Sequence, residues 1–205
     1  MSSILLVTSS PRGEASLSSR VARELAEKLS AARPGSRLVA RDLAREPLPH
    51  IDPHFAAGIY TAQEARTPEQ ARAVAISDQA VDELLEAEAI VIAAAMINFS
   101  IPSTLKSWFD HVARAGRTFR YTEKGPEGLV KGRKAYLVLA SGGVYSQGAS
   151  AAFDHAVPYM KSFLAFLGIS DVEVIRVEGV ALSPDAAQQA VSQALGQASQ
   201  YALAA

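Results

Sequence analysis

The chain contains no cysteine. Disulfide scaffolds, thiolate catalysis and cysteine-ligated metal centres are therefore excluded. Neither sign of charge is in excess: 20 Lys and Arg stand against 21 Asp and Glu, for a net charge of −1. A nucleic-acid binder would be basic, so no nucleic-acid partner is expected. No stretch approaches the ~18 apolar residues of a membrane span, so no membrane partner is expected either. The N-terminus lacks the charged leader region of a secreted protein, and the expected address is the cytoplasm. Neither Gly-x-x-x-x-Gly-Lys nor Gly-x-Gly-x-x-Gly occurs, which disfavours the nucleoside-triphosphate loop and the dinucleotide fingerprint. Internal repeats and low-complexity tracts are also absent. His50 and His54 are four apart, but Pro49 and Pro53 break a regular helix between them. They read as loop residues, and no metal site is expected.

What is present is a chain of 205 residues, 49% hydrophobic, long enough for one domain with a proper core, taken as residues 1–205. Its organising stretch is Met1 to Ser19. Ile4-Leu5-Leu6-Val7 is a continuous apolar run, suited to a strand buried on both faces. It breaks into a loop in which Ser9, Ser10, Ser16, Ser18 and Ser19 crowd together, and a helix is predicted from about Leu17 to Ala32. Strand, hydroxyl-rich loop and helix N-terminus collect free N–H groups and the positive end of a helix dipole. The natural occupant is a phosphate.

The helix carries Val21, Leu25 and Leu29 at core spacing and stops at Pro34-Gly35. Ser36 to Arg41 reads as a second strand near a sheet edge. From Asp42 to Arg66 no period is clear, and prolines at 47, 49 and 53 argue against a regular element across the first half. Thr67-Pro68-Glu69-Gln70 opens a helix with a capping box and proline at its first position. Ala89 to Ala95 is a third strand, apolar throughout and so central. It runs into Met96-Ile97-Asn98-Phe99, after which Leu105, Trp108, Phe109 and Val112 mark a helix. Arg114 to Val130 reads as an extended excursion with a tight turn at Gly125-Pro126. Ala135 to Ala140 is the fourth strand and ends in Ser141-Gly142-Gly143-Val144-Tyr145, a third unusual loop. A helix near Pro158, a fifth strand from Asp171 to Val177 and a last helix capped at Ser183-Pro184 complete the chain.

Five strands alternate with five helices, which predicts an α/β fold: a flavodoxin-like five-stranded parallel sheet of order 2-1-3-4-5 with helices on both faces. In that order strands one, three and four are neighbours, and their C-terminal ends carry the three unusual loops. A ligand there is held at a phosphate by the first and at a ring by the others. Gly142-Gly143 permits close backbone approach to a flat ring. Asn98 offers a donor and an acceptor to a heterocycle's polar edge, and Met96 and Phe99 offer apolar contact. FMN has all three features.

Several longer stretches carry a resemblance: Asp42-Leu43-Ala44, Asn98-Phe99, Leu105 to Asp110, Val112-Ala113-Arg114-Ala115-Gly116, Thr118 to Glu123 and Gly125 to Val130. On these the chain resembles the FMN-dependent NADH:quinone oxidoreductases, also called azoreductases and once called acyl-carrier-protein phosphodiesterases. By position, the resemblance implies cofactor contacts at Ser10, Ser16, Leu17, Ser18, Met96, Ile97, Asn98, Phe99, Ala140, Ser141, Gly142 and Gly143. Family members often have Pro-Met-Tyr-Asn-Phe where this chain has Ala95-Met96-Ile97-Asn98-Phe99, and Ser-Arg-Gly-Gly where it has Ala140-Ser141-Gly142-Gly143. The resemblance also implies NADH or NADPH as co-substrate, quinones, azo compounds and nitroaromatics as acceptors, and a homodimer whose partner completes each site. Phe119, Tyr121 and Phe163 are the candidate substrate wall. No side chain is required as acid, base or nucleophile, because the flavin carries the chemistry. The rival reading is a one-electron carrier of flavodoxin type, which relies on an acidic surface that this near-neutral chain lacks.

Overall fold

The computed structural model describes residues 3–204; Met1, Ser2 and Ala205, the first two assigned above to the organising stretch, lie outside them. The chain runs β1 (Ser3–Thr8), α1 (Leu17–Ala31), β2 (Arg37–Asp42), α2 (Pro53–Gly58), α3 (Pro68–Glu86), β3 (Ala87–Ala95), α4 (Ser103–Val112), β4 (Phe119–Thr122), β5 (Gly125–Gly128), β6 (Lys134–Ser141), α5 (Ala156–Leu167), β7 (Asp171–Glu178) and α6 (Pro184–Leu203). Five strands form one parallel sheet in the order β2-β1-β3-β6-β7. Counting sheet strands alone, that is the expected 2-1-3-4-5. β4 and β5 form a separate antiparallel hairpin.

Strand alternation divides the core in two. Leu5, Val7, Ile90, Ile92, Leu137 and Leu139 face α3, α4 and α5. Ile4, Leu6, Val91, Tyr136 and Val138 face α1 and α6. The central strands are buried on both faces, which is why their sequences read as apolar runs instead of alternating. Thr67 Oγ1 accepts from Gln70 N while Gln70 Oε1 accepts from Thr67 N, so the capping box that opens α3 is formed from both sides.

Two expectations need correction. The stretch after Asp42 is not irregular throughout, because α2 occupies Pro53–Gly58. Asp52 caps it by accepting from Phe55 N at 2.7 Å, so Pro53 starts a helix here instead of preventing one. The hairpin turn is not at Gly125-Pro126 either. Those residues lie in β5, opposite Thr122 and Tyr121, and the chain reverses at Glu123-Lys124.

The segment between β2 and α2 is strapped to α4. Ser107 Oγ donates to the carbonyl of Pro49 at 2.7 Å, and the His111 ring donates to the same oxygen through Nε2 at 2.9 Å. His111 Nδ1 is buried with no partner among the described residues. Burial lowers the pKa of this histidine from its ordinary 6.5. Protonation would put a charge in a dry site beside Arg114. The unfolded chain therefore binds more protons over the window between the two values, and stability falls as pH drops through 6.5 towards the lowered value. The melting temperature is expected to decline between pH 7.5 and 5, and His111→Gln is expected to flatten that decline even if it lowers the plateau.

Candidate functional site

The site lies at the C-terminal edge of the sheet, where β1, β3 and β6 end side by side. Thr8 pairs with Ala93, and Ala95 pairs with Ala140. The helix after β1 lies on one face of the sheet and the helix after β3 on the other. The crevice between these strands is therefore the switch point of the open sheet.

The first loop begins at Ser9, whose hydroxyl donates to the Ala93 carbonyl at 2.9 Å and ties β1's end to β3. Ser16 caps α1: its Oγ accepts from Ser19 N at 3.2 Å and lies 3.2 Å from the Ser18 hydroxyl. Among the described residues no acceptor serves the N–H of Leu17 or Ser18, as geometry requires of a helix's first turn. Of the five crowded serines, Ser10, Ser16 and Ser18 line a cleft of about 310 Å³. Ser9 donates to Ala93 and lines a larger hollow beside the second loop, and Ser19 lines a neighbouring surface groove.

The second loop is a tight turn. Ile97 and Ser100 exchange backbone hydrogen bonds at 2.9 and 3.0 Å. Between them Asn98 has φ 48° and Phe99 φ 69°. Two consecutive residues at positive φ define a type I′ turn, whose second position is normally glycine. A phenylalanine there is strained, and such strain persists only where surrounding contacts fix it. Here the Phe99 carbonyl accepts from His155 N at 3.0 Å, and Met96 N donates to the Ala140 carbonyl at 2.8 Å. Asp154 holds His155 in place, capping α5 through Ala156 N and Val157 N and pairing with Arg176 at 2.7 Å.

The third loop has its carbonyls engaged from behind. The N–H groups of Gly179, Val180 and Ala181 donate to Gly143, Ser141 and Gly142 respectively, and the Ser141 hydroxyl also donates to the Gly143 carbonyl. Glu178 accepts from the backbone of Tyr145 and Ser146 and from the Ser146 hydroxyl. The N–H groups of Gly142 and Gly143 have no acceptor among the described residues. A Cβ at Gly142 would stand 3.3 Å from the Ala181 methyl, so glycine keeps this wall low.

All twelve residues expected at the cofactor line one of three adjoining hollows. The 310 Å³ cleft takes Ser10, Ser16, Leu17, Ser18, Met96, Ala140, Ser141 and Gly142. A second, of about 250 Å³, adds Asn98, Phe99 and Gly143. The third, about 840 Å³, lies across the turn and carries Ile97 and Asn98 alongside Tyr159. Burial pushes the Tyr159 phenol up to about 12, so it stays neutral at working pH. Ile97 and Phe99 are 40% and 45% exposed, facing solvent rather than core.

The three candidate wall residues line none of these hollows, though the Phe163 ring lies 6.0 Å from that of Tyr159, which lines the third. Phe119 stacks on Phe166 near the end of α5, Tyr121 stacks edge-on to Phe119 and is 76% exposed, and Phe163 packs on Phe109. That end of α5 adjoins the start of β7, whose Asp171 pairs with Lys134 at the start of β6. The hairpin therefore sits at the opposite edge of the sheet from the cleft of its own chain.

Sequence reasoning missed Val180 and Ala181 in the cleft; Arg12 and Tyr145 fall within the first and third loops it singled out, but it gave neither a role. Val180 and Ala181 were readable from the predicted order, since the loop after the edge strand abuts the loop after its neighbour. Gly179 at that strand's end is the local signal.

A family model described as a flavodoxin-like fold matches residues 2–202. The FMN-dependent NADH:quinone oxidoreductase of Mesorhizobium japonicum is 58% identical, over 99% of both chains. The crystal structure of an azoreductase from Bacillus anthracis strain Sterne superposes with a TM-score of 0.90 at 33% identity, covering 98% of this chain and 99% of that one. An FMN-dependent NADH-azoreductase from Bacillus anthracis strain Ames Ancestor, solved in complex with FMN, has a TM-score of 0.87 at 26% identity, covering 98% and 100%. With that identity over its whole length, and with its unengaged donors gathered at the sheet's switch point, this chain belongs to the FMN-dependent NADH:quinone oxidoreductase and azoreductase family, built on the flavodoxin-like fold.

Proposed function

We propose that the chain is an FMN-dependent oxidoreductase, acting as one domain, that moves two electrons from NADH or NADPH to quinones, aromatic azo compounds and nitroaromatics. The observation that carries this reading is the donor set without internal partners: Leu17 and Ser18 N–H at one end of the crevice, Gly142 and Gly143 N–H at the other. That pattern suits a ligand with an anionic tail and a polar ring edge. When bound, FMN supplies the two-electron redox chemistry.

The chain's own residues bind and orient. Ser10, Ser16 and Ser18 with the first turn of α1 would hold the phosphate. Asn98, Gly142 and Gly143 would hold the ring's polar edge, as fixed donors that favour negative charge there. Met96 and Phe99 would cover an apolar edge and exclude water.

The aromatic wall is proposed to come from a second copy. Phe119 and Tyr121 sit away from their own chain's cleft, and an exposed tyrosine edge-on to a phenylalanine suits an interface. The reading is a cytoplasmic homodimer; among the described residues no helix is long and apolar enough to cross a membrane.

One site serving both substrates in turn gives parallel lines in double-reciprocal plots of NADH against a quinone. Intersecting lines would contradict the shared site. Sedimentation as a monomer at assay concentration would remove the second-copy wall.

A further inference from the structure

We propose that Arg12 is a phosphate-binding residue, gripping the phosphate of FMN from the rim of the cleft. The inference rests on the FMN reading above and names a residue that neither the motif nor the resemblance assigns.

The cleft beside α1 is lined by Ser10, Arg12, Ser16 and Ser18 on one side and by Val180 and Ala181 on the other. Arg12 is the sole ionisable residue among those lining it. The first turn of α1 has no acidic residue. The nearest acid along the chain, Glu14, pairs with Arg23 at 3.4 Å. Among the described residues the Arg12 guanidinium has neither an ion pair nor a side-chain hydrogen bond.

Its backbone is nonetheless held. Arg12 N donates to Ser10 Oγ at 3.4 Å, and the Arg12 carbonyl accepts from Ala15 N at 3.1 Å. Gly13, at φ 53°, turns the chain immediately after it. The Cα of Arg12 is thus fixed at the rim while its long side chain has no internal task.

The rest of the cleft offers neutral donors. Hydroxyls, N–H groups and a helix dipole favour an anion, but they leave most of a phosphate dianion's charge uncompensated. A guanidinium presents a planar fork that matches phosphate oxygens two at a time. A cation with no partner at the rim of such a cleft is the missing charge complement. Arginine here also separates FMN from riboflavin, which has the same ring and no phosphate.

The test compares both flavins on the apoprotein by fluorescence quenching, with wild type, Arg12→Ala and Arg12→Lys, at low and high salt. Arg12→Ala is expected to weaken FMN roughly tenfold and to leave riboflavin within about twofold, so the preference for FMN shrinks by the same factor. The salt dependence of FMN binding is expected to become shallower in that variant, with Arg12→Lys between the two. Arg12 is exposed, so a thermal melt close to that of wild type is expected to accompany the change. Unchanged FMN affinity overturns the proposal. So does equal loss of both flavins, which would mean a damaged loop, and so does an effect confined to KM for NADPH. If wild type binds neither flavin, the FMN reading itself fails, which the wild-type arm alone reveals.

Discussion

Gly128→Ala is expected to lower stability by about 3 kcal/mol or more, the upper end of what overpacking costs. At 205 residues that is a drop of about 10 °C in melting temperature. The reason is contact of backbone on backbone. A Cβ on Gly128 would lie 2.1 Å from Gly168 N and 2.3 Å from the Leu167 carbonyl carbon. No flexible side chain stands there to move aside. Gly168 closes α5 in the left-handed region, at φ 101°, and its own Cβ would meet Gly128 at 3.0 Å. Next to this contact Val130 N donates to the Leu167 carbonyl at 2.9 Å. The hairpin docks through this seam, so the variant should undock β4 and β5 and displace Phe119 from Phe166. Gly196→Ala is the control. Gly196 lies in α6 with open space around it, and alanine there should stabilise by up to about 1 kcal/mol through helix propensity. Thermal melts of the two variants should move in opposite directions; equal shifts would mean that the seam is slack.

Asn98→Val should weaken FMN binding by tenfold or more. A β-branched residue strongly resists φ near 48°, the angle of Asn98 here. Forcing it costs of the order of 1–3 kcal/mol, and the turn has a further strained position at Phe99. The turn should therefore relax, withdrawing Asn98's backbone and Phe99's ring from the cleft together. Asn98→Gly separates conformation from side-chain chemistry. Glycine accepts positive φ freely, so this variant should keep the turn, lose only the amide contact and fall between wild type and Asn98→Val. If both variants bind FMN alike, the turn's geometry is not what matters.

Much of this arrangement was legible in the residues. The capping signature at Thr67 and Gln70 and the proline after Ser183 are local chemistry, and local chemistry decided those helix starts. The apolar runs of β1, β3 and β6 identified central parallel strands because burial on both faces removes alternation. Once the order was set, the loops after Thr8, Ala95 and Ser141 had to meet. Most of the failures are tertiary in origin. Pro53 is the exception: Asp52-Pro53 carries the same local cap-and-proline signal as Thr67-Pro68 and Ser183-Pro184, with Asp52 accepting from Phe55 N three residues on. Phe99 gave no sign of a left-handed backbone; its conformation is imposed by the Ile97–Ser100 pair and by His155. Among the first loop's crowded hydroxyls, Ser9 gives its proton to Ala93, on a strand far along the chain, which no local pattern announces. Nor does local pattern say which edge of the sheet a hairpin will seek, so Phe119 and Tyr121 could be recognised as aromatic but not placed.

The central claim is that three loop segments at one sheet edge form a single flavin site. Amide chemical shifts of the apoprotein during titration with FMN test it most directly. The expected result is saturation at one FMN per chain, with the largest changes at Leu17, Ser18, Asn98, Gly142 and Gly143. Saturable binding that leaves those five amides unmoved, or no binding at all, would contradict it.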